Sequence, residues 1–485
     1  MLSISFIILV LVVIIGLISG INWKFFRGRY WFIPAALIGI IIVMGLITII
    51  QSGYYRMQTD YGTEADKAKS LEVQQLWGVK NWTKIFGGPC TDYAISISQT
   101  SDGGYIIGGD TDNCTKAASG GRIYIPFLLK TDVNGNKVWE KFNYSGFAHS
   151  IQQAPDGGYI IAGNINLPRK EVGAYGASLQ ADIYLMKTDV NGNVVWEKNY
   201  GEDKPDNGVY TLEIGQSVQQ TSDSGYIIVG STGPYGEKKD VYLIKTDANG
   251  NKQWSKVFGV NKTNERTTVH ARLVQQTSDG GYIVVGWTET YWINGTEKDE
   301  DIYLVKTDAN GNKVWDKLVD AFGQRGDDRS RDVKQTSDGG YIVVGYKTSF
   351  RKDIGQTVSN AYLLKTDPDG NKVWERIFEE KFGEGLLVQQ TSDGGYMVTA
   401  TMATANMDYY LTKIKTDSQG NKIWEKAIDE FTPYGPYYYP LLQTLDGGYI
   451  GIIDKIDGIG EYGLEKIDIV LVKIDETQTP RPPEE

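Results

Sequence analysis

The stretch LVQQTSDGGYIVVG, residues 273–286, followed after an intervening segment by DIYLVKTDANGNKVW, residues 301–315, decides the fold, because nearly the same pair of phrases is written seven times. The Asp of the first phrase recurs as Asp102, Asp156, Asp223, Asp279, Asp338, Asp393 and Asp446, at intervals of 53 to 67 residues. The third copy alters Gly-Gly to Ser224-Gly225. Each copy divides into four strands, with a tight Asp-Gly-Gly turn between the first and second (A and B) and an Asn-Gly-type turn between the third and fourth (C and D). Gly and Asn suit these tips because they tolerate the positive φ that tight hairpins demand.

A four-stranded unit of this length must stack on its neighbours to bury both faces, and seven of them predict an all-β, seven-bladed β-propeller of four-stranded blades. The seventh copy ends at Val470–Asp475 without a Gly-Asn-x-x-Trp strand, while an orphan Trp82-Thr-Lys-Ile-Phe-Gly87 precedes the first copy. One missing strand and one spare strand predict that the N-terminal strand closes the last blade, leaving no open sheet edge at the seam. The propeller is expected over 81–475, with a disordered tail at 476–485.

On these repeats the chain resembles the β-propellers of bacterial and archaeal surface proteins whose units read roughly Gln-Thr-x-Asp-Gly-Gly-Tyr and Lys-Thr-Asp-x-x-Gly-Asn-x-x-Trp. The resemblance covers about residues 82–475 and implies fold rather than activity. The turn is also similar in placement to the Asp-box of sialidase-like propellers, with a partial match, since Asp here directly follows Thr. In that group the box is structural.

Composition narrows the function classes. With 57 Gly, 31 Tyr and only 14 Pro in 485 residues, the chain has many tight turns between aromatic-rich strands. A net charge of −11 argues against nucleic acid as a partner, since phosphate binding draws on clustered Lys and Arg. Two cysteines and two histidines supply neither a disulfide framework nor a Cys/His metal site.

The N-terminus differs in kind. Residues 2–21 and 31–50 are nearly uncharged, and each is long enough at about 1.5 Å per residue to cross a hydrocarbon core of about 30 Å. They predict a two-helix transmembrane hairpin. Lys24, Arg27 and Arg29 place the loop between them on the cytoplasmic side, so that the linker 51–80 and the propeller lie outside. Asn81, Asn113, Asn143, Asn261 and Asn294 then become glycosylation candidates. Cys90 and Cys114, both expected in loops around blade one, become candidates for one disulfide.

Most of what recurs reads as scaffold. Turns such as Asp308-x-Asn310-Gly-Asn312 look like calcium loops, yet they lack Gly at position six and Glu at position twelve. No metal or cofactor is expected, Ca2+ being the one ion weighed. The Gln before each turn (Gln99, Gln153, Gln220, Gln276, Gln335, Gln390, Gln443) reads as an internal hydrogen-bonder, since an unpaired buried amide costs about 1–3 kcal/mol. The Trp of each fourth strand reads as packing between blades.

Function is sought where the copies disagree, on the face carrying the B–C and D–A loops. Arg266, His270 and Arg272 entering blade four, and Arg325, Arg329 and Arg331 entering blade five, are candidates for a cationic pocket. Trp287, Trp292, Tyr437 and Tyr439 are candidates for stacking on a sugar or a protein. The expectation is a membrane-anchored, extracytoplasmic binding, adhesion or scaffold module for a surface glycan or protein, and not an enzyme. The alternative is a sialidase-like propeller hydrolase or lyase, which needs paired carboxylates near converging arginines.

Overall fold

The computed structural model describes residues 82–474, except 88–90, 117–121, 143, 168–179, 202–210, 235–238, 261–264, 293–297, 320–326, 352–355, 379–382, 404–408, 430–440 and 460–464. The two apolar segments, the linker, the tail, Arg325, Tyr437, Tyr439, Cys90, Asn81, Asn143, Asn261 and Asn294 lie outside the described residues. Of Arg266, Trp292, Asn113 and Cys114 only the backbone is described. Among the described residues no helix is long and apolar enough to cross a membrane.

The described residues form seven four-stranded antiparallel sheets. Blade four shows the pattern: strand A is Glu265–Gln276, strand B Tyr282–Trp292, strand C Lys298–Thr307 and strand D Lys313–Val319. The A strands of neighbouring blades touch one another, so they stand innermost around the axis. Closure is as expected: Trp82–Phe86 pairs antiparallel with Glu465–Ile474, from Trp82 opposite Lys473 to Phe86 opposite Ile469, and supplies the fourth strand of blade seven.

The recurring residues turn out to be joints. Gln276 donates from Nε2 to the Gly280 carbonyl in its own turn and accepts at Oε1 from the Ser222 N–H of the preceding blade. The ring is tied at its closure by the same device, Leu445 N–H donating to Gln99 Oε1 at 2.7 Å. Lys306, almost fully buried, reaches the turn aspartate Asp279 at 2.8 Å and its own strand-end carbonyl at Thr307. Trp254 lies across the next blade's Gly311 and meets Tyr282 at 5.8 Å between ring centroids. Asp308 Oδ1 accepts from the N–H groups of Asn310 and Asn312, and Oδ2 from Asn312 Nδ2. These bonds hold the Asp308 carboxyl below the usual carboxylate range.

Two sequence expectations shift. The A–B hairpin of blade four runs farther than its repeat phrase, so residues 265–272 and 287–292, expected in loops, lie on strands. The physical reason is a period of two: Thr267, Val269, Thr288 and Thr290 are buried on one face while Thr268, His270, Trp287 and Glu289 share the other. Cys114 and Asn113 likewise lie on a strand, Tyr105–Lys116, rather than in a loop.

The seam between blades six and seven is the poorest packed. At one strand C position six blades carry Leu (Leu128, Leu185, Leu243, Leu304, Leu363 and Leu471), and blade six carries Lys413, 8% exposed, with its Nζ 4.8 Å from the Tyr449 ring centroid. Trp424 is 42% exposed, because the third and fourth strands of blade seven come from opposite ends of the chain and no C–D turn glycine exists there to receive it. Burial pushes the Lys413 ammonium down to about 8. Lys413→Leu is expected to raise stability at neutral pH by about 1–2 kcal/mol, within the usual yield of restoring a repeat residue. Because the folded pKa lies below the unfolded one, the wild-type penalty is full below pH 8 and is relieved as pH rises toward the unfolded value. Denaturant titrations across that range should show the advantage of the variant shrinking with pH.

Candidate functional site

Strand A carries an extra residue in five blades, marked by register shifts between Ala94 and Ser96, Gly215 and Ser217, Ala271 and Leu273, Ser330 and Asp332, and Gly385 and Leu387. Arg272 and Arg331 are such extra residues, and a bulge re-aims its side chain relative to its neighbours. This separates Arg272 from His270 and Arg331 from Arg329, pairs that would otherwise share a strand face.

His270 stands directly opposite Trp287 on the neighbouring strand, and the rings stack at 5.0 Å between centroids with 12° between planes. His270 Nε2 lies 3.2 Å from Glu289 Oε2, and Tyr291 Oη donates to Glu289 Oε1 at 2.8 Å. Glu289 faces Glu300 as a directly opposed pair on strands B and C. From blade five, Arg329 forks Glu300 with Nε at 2.5 Å and Nη2 at 2.8 Å, and its guanidinium carbon sits 5.2 Å from the Trp287 ring centroid. Arg331 donates to Glu384 of blade six at 2.7 Å and lies 5.6 Å from the Tyr346 ring centroid.

Burial differs sharply among the acids. The Glu300 side chain is 0% exposed, whereas Glu289 is 21% and Glu384 15% exposed, so Glu289 and Glu384 are the carboxylates a solute can reach. Burial holds the His270 imidazole below its ordinary value, against the opposing pull of Glu289. His149, which holds in blade two the position of Arg272 in blade four, is held down by burial and by the charge of Arg272, while its Nδ1 lies 2.9 Å from the Gly215 carbonyl. Asp110 of blade one is pushed up to about 7 by burial. Among the described residues no group of three or more His, Cys, Asp or Glu could hold a metal ion.

The structure thus brings His270, Trp287 and Arg329 together, sends Arg331 to Glu384, and sets the charge of Arg272 where it acts on His149. Glu300 offsets the charge of Arg329, and Glu384 that of Arg331. Glu289, Glu300 and Glu384 were not singled out from the sequence. The available signal was the alternation Trp287, Glu289, Tyr291, which sets an acid between two aromatics on one strand face.

No protein-family model matches the chain, and none of the curated proteins matches it. Among solved structures it is similar to an α-L-arabinofuranosidase from Fusarium graminearum in complex with an iminosugar inhibitor, at 12% identity and TM-score 0.40, covering 81% of this chain and 98% of that one. An α-L-arabinanase from Penicillium chrysogenum complexed with arabinobiose matches at 12% identity and TM-score 0.39, with the same coverage of 81% and 98%. A GH32 β-fructofuranosidase from Bombyx mori matches at 11% identity and TM-score 0.32, covering 86% and 96%. The expectation of a non-catalytic binding or adhesion module, not an enzyme, is corrected here: the solved structures it resembles are glycoside hydrolases. Carboxylates do stand against two of the arginines, Glu300 on Arg329 and Glu384 on Arg331, from 29 and 53 residues away in sequence. At these identities the likeness is one of fold, and the chemistry is argued from side chains.

Proposed function

We propose that the chain is a propeller glycoside hydrolase whose reaction centre lies on the variable-loop face at blades four to six. The observation that carries this reading is the opposed carboxylate pair Glu289 and Glu300 beside the Trp287 indole. Glycoside hydrolysis needs two carboxyl groups, one to move a proton at the leaving oxygen and one to stabilise an oxocarbenium-like transition state. Glu289, reachable by solvent and hydrogen-bonded by Tyr291 and His270, takes the proton-transfer role. Glu300, fixed by the Arg329 fork, contributes a preorganised charge that costs no reorganisation during reaction. Arg331 with Glu384 extends the polar surface beside this centre, and Arg266, Arg272, Arg325, Trp292, Tyr437 and Tyr439 are proposed as ligand-binding residues from their place in the sequence alone.

The test is release of reducing sugar from arabinan, sucrose and 4-nitrophenyl glycosides by the purified full chain. Glu289→Gln should lower turnover by about 10²-fold or more, the usual contribution of a positioned acid or base. Failure to release sugar from any of these substrates, or full activity in Glu289→Gln, would overturn the assignment.

We further propose that residues 2–21 and 31–50 anchor this enzyme in the membrane with the propeller outside. Support comes from the length of the two apolar runs and the basic loop between them. A cysteine introduced by Ser70→Cys should react with an impermeant reagent on intact cells; protection there reverses the orientation.

A further inference from the structure

A second site lies on the opposite face, where the inner strands of blades one to three end. At five of the seven seams a backbone N–H of one turn donates to the Gln Oε1 of the next blade, from Ser101 to Gln153, Ser222 to Gln276, Ser278 to Gln335, Ser337 to Gln390 and Leu445 to Gln99. At the seam between blades two and three the donating position is Pro155, which has no N–H. Gln220 Oε1 is therefore left unclaimed by any described residue. The amide of Gln220 is held in place nonetheless, its Nε2 donating to the Ser224 carbonyl at 3.4 Å. Gln152 adds the complementary group: its Oε1 accepts from the Gln220 N–H at 3.2 Å, and its two Nε2 donors are taken by no described residue.

Both amides line one cavity of about 560 Å3, together with Pro155, Ser101, Ser222 and Ser224. That volume falls within the range of about 300–1,000 Å3 usual for small-molecule sites. The second departure from repeat symmetry sits in the same lining. Ser224 is the one non-glycine residue at positive φ among the described residues, at +67°, in a position that the six other copies give to Gly. Strain of this kind persists where something else depends on it. The lining carries no charged side chain, so an ionic ligand gains nothing there.

We propose that this cavity binds one unit of a neutral saccharide. A sugar hydroxyl donates and accepts at once, matching an amide N–H pair from Gln152, a free carbonyl from Gln220 and the serine hydroxyls, while the Pro155 ring offers an apolar surface to the C–H face of a pyranose or furanose. The site is distinct from the carboxylate centre and does not depend on it. In a hydrolase it would hold a neighbouring stretch of the polymer.

The test restores the repeat. Pro155→Ser supplies the missing N–H to Gln220, and Ser224→Gly removes the hydroxyl; both install residues that other copies carry, so the ring keeps its fold, as a thermal melt will show. The full chain is titrated with maltose, lactose and cellobiose, none of them an assay substrate of the carboxylate centre, by saturation-transfer NMR and calorimetry. At least one should bind the wild type and weaken about tenfold or more in the double variant, since a site built on hydrogen bonds discriminates strongly against their loss. That binding should be unchanged in Glu289→Gln. No binding of any of the three, binding that survives the double variant, or binding that vanishes only in Glu289→Gln would each overturn the proposal.

Discussion

Arg329→Met is expected to lower the free energy of unfolding by about 3–5 kcal/mol, the cost of leaving one partner of a buried ion pair without its counter-charge. The asymmetry of the pair makes this the damaging direction. Glu300 is 0% exposed and Arg329 23%, so losing the arginine strands a carboxylate away from water, whereas losing the acid leaves a guanidinium that still touches solvent. Glu300→Gln should therefore cost less, and the double variant should recover much of the Arg329→Met loss. A double-mutant cycle by denaturant unfolding reads the coupling directly. Equal single effects that simply add would remove Arg329 as the group that holds Glu300. The methionine keeps most of the stem volume, so the measurement reports charge rather than a cavity.

Gly311→Ala is expected to cost about 2–6 kcal/mol through two contributions that a control separates. The backbone there has φ +75°, and a β-carbon would approach the Trp254 ring to 2.5 Å. Positive φ costs a non-glycine residue about 1–3 kcal/mol, and overpacking adds about 1–3 kcal/mol more. Gly157→Ala, at φ +85° with nothing within 4 Å of the new β-carbon, should show the first term alone. In a Trp254→Ala background Gly311→Ala should fall toward the Gly157 value. If instead the two glycines cost the same in the wild type, the tryptophan does not press on the turn.

The repeat was legible because each phrase is a local rule. A Gly or Asn that tolerates positive φ fixes a hairpin tip, alternating apolar residues fix a strand face, and the spare strand at Trp82 fixes closure. The roles of Gln and Trp as joints were legible for the same reason, since periodicity in a closed ring gives most copies of a residue the same neighbour across the seam. The scaffold role of the Asp turns followed from residues only two and four positions away.

The acids of the site were not legible, and the reason is distance along the chain. Glu300 sits in the run Lys298-Asp-Glu-Asp301, which reads as a solvated charge cluster, yet it is fully buried because strand C of blade four faces Arg329 of blade five. Nothing near Glu384 in sequence announces Arg331, 53 residues earlier. The bulge that splits Arg272 from His270 adds one residue to a strand and leaves no mark in composition.

By itself, then, the sequence determined the number of blades, the strand that closes the ring and the residues that join one blade to the next, since all of these depend on short-range conformational preferences repeated in register. Only the tertiary structure decided which carboxylate meets which arginine, and that Pro155 and Ser224 border a single cavity, since both depend on which blades stand side by side around the axis.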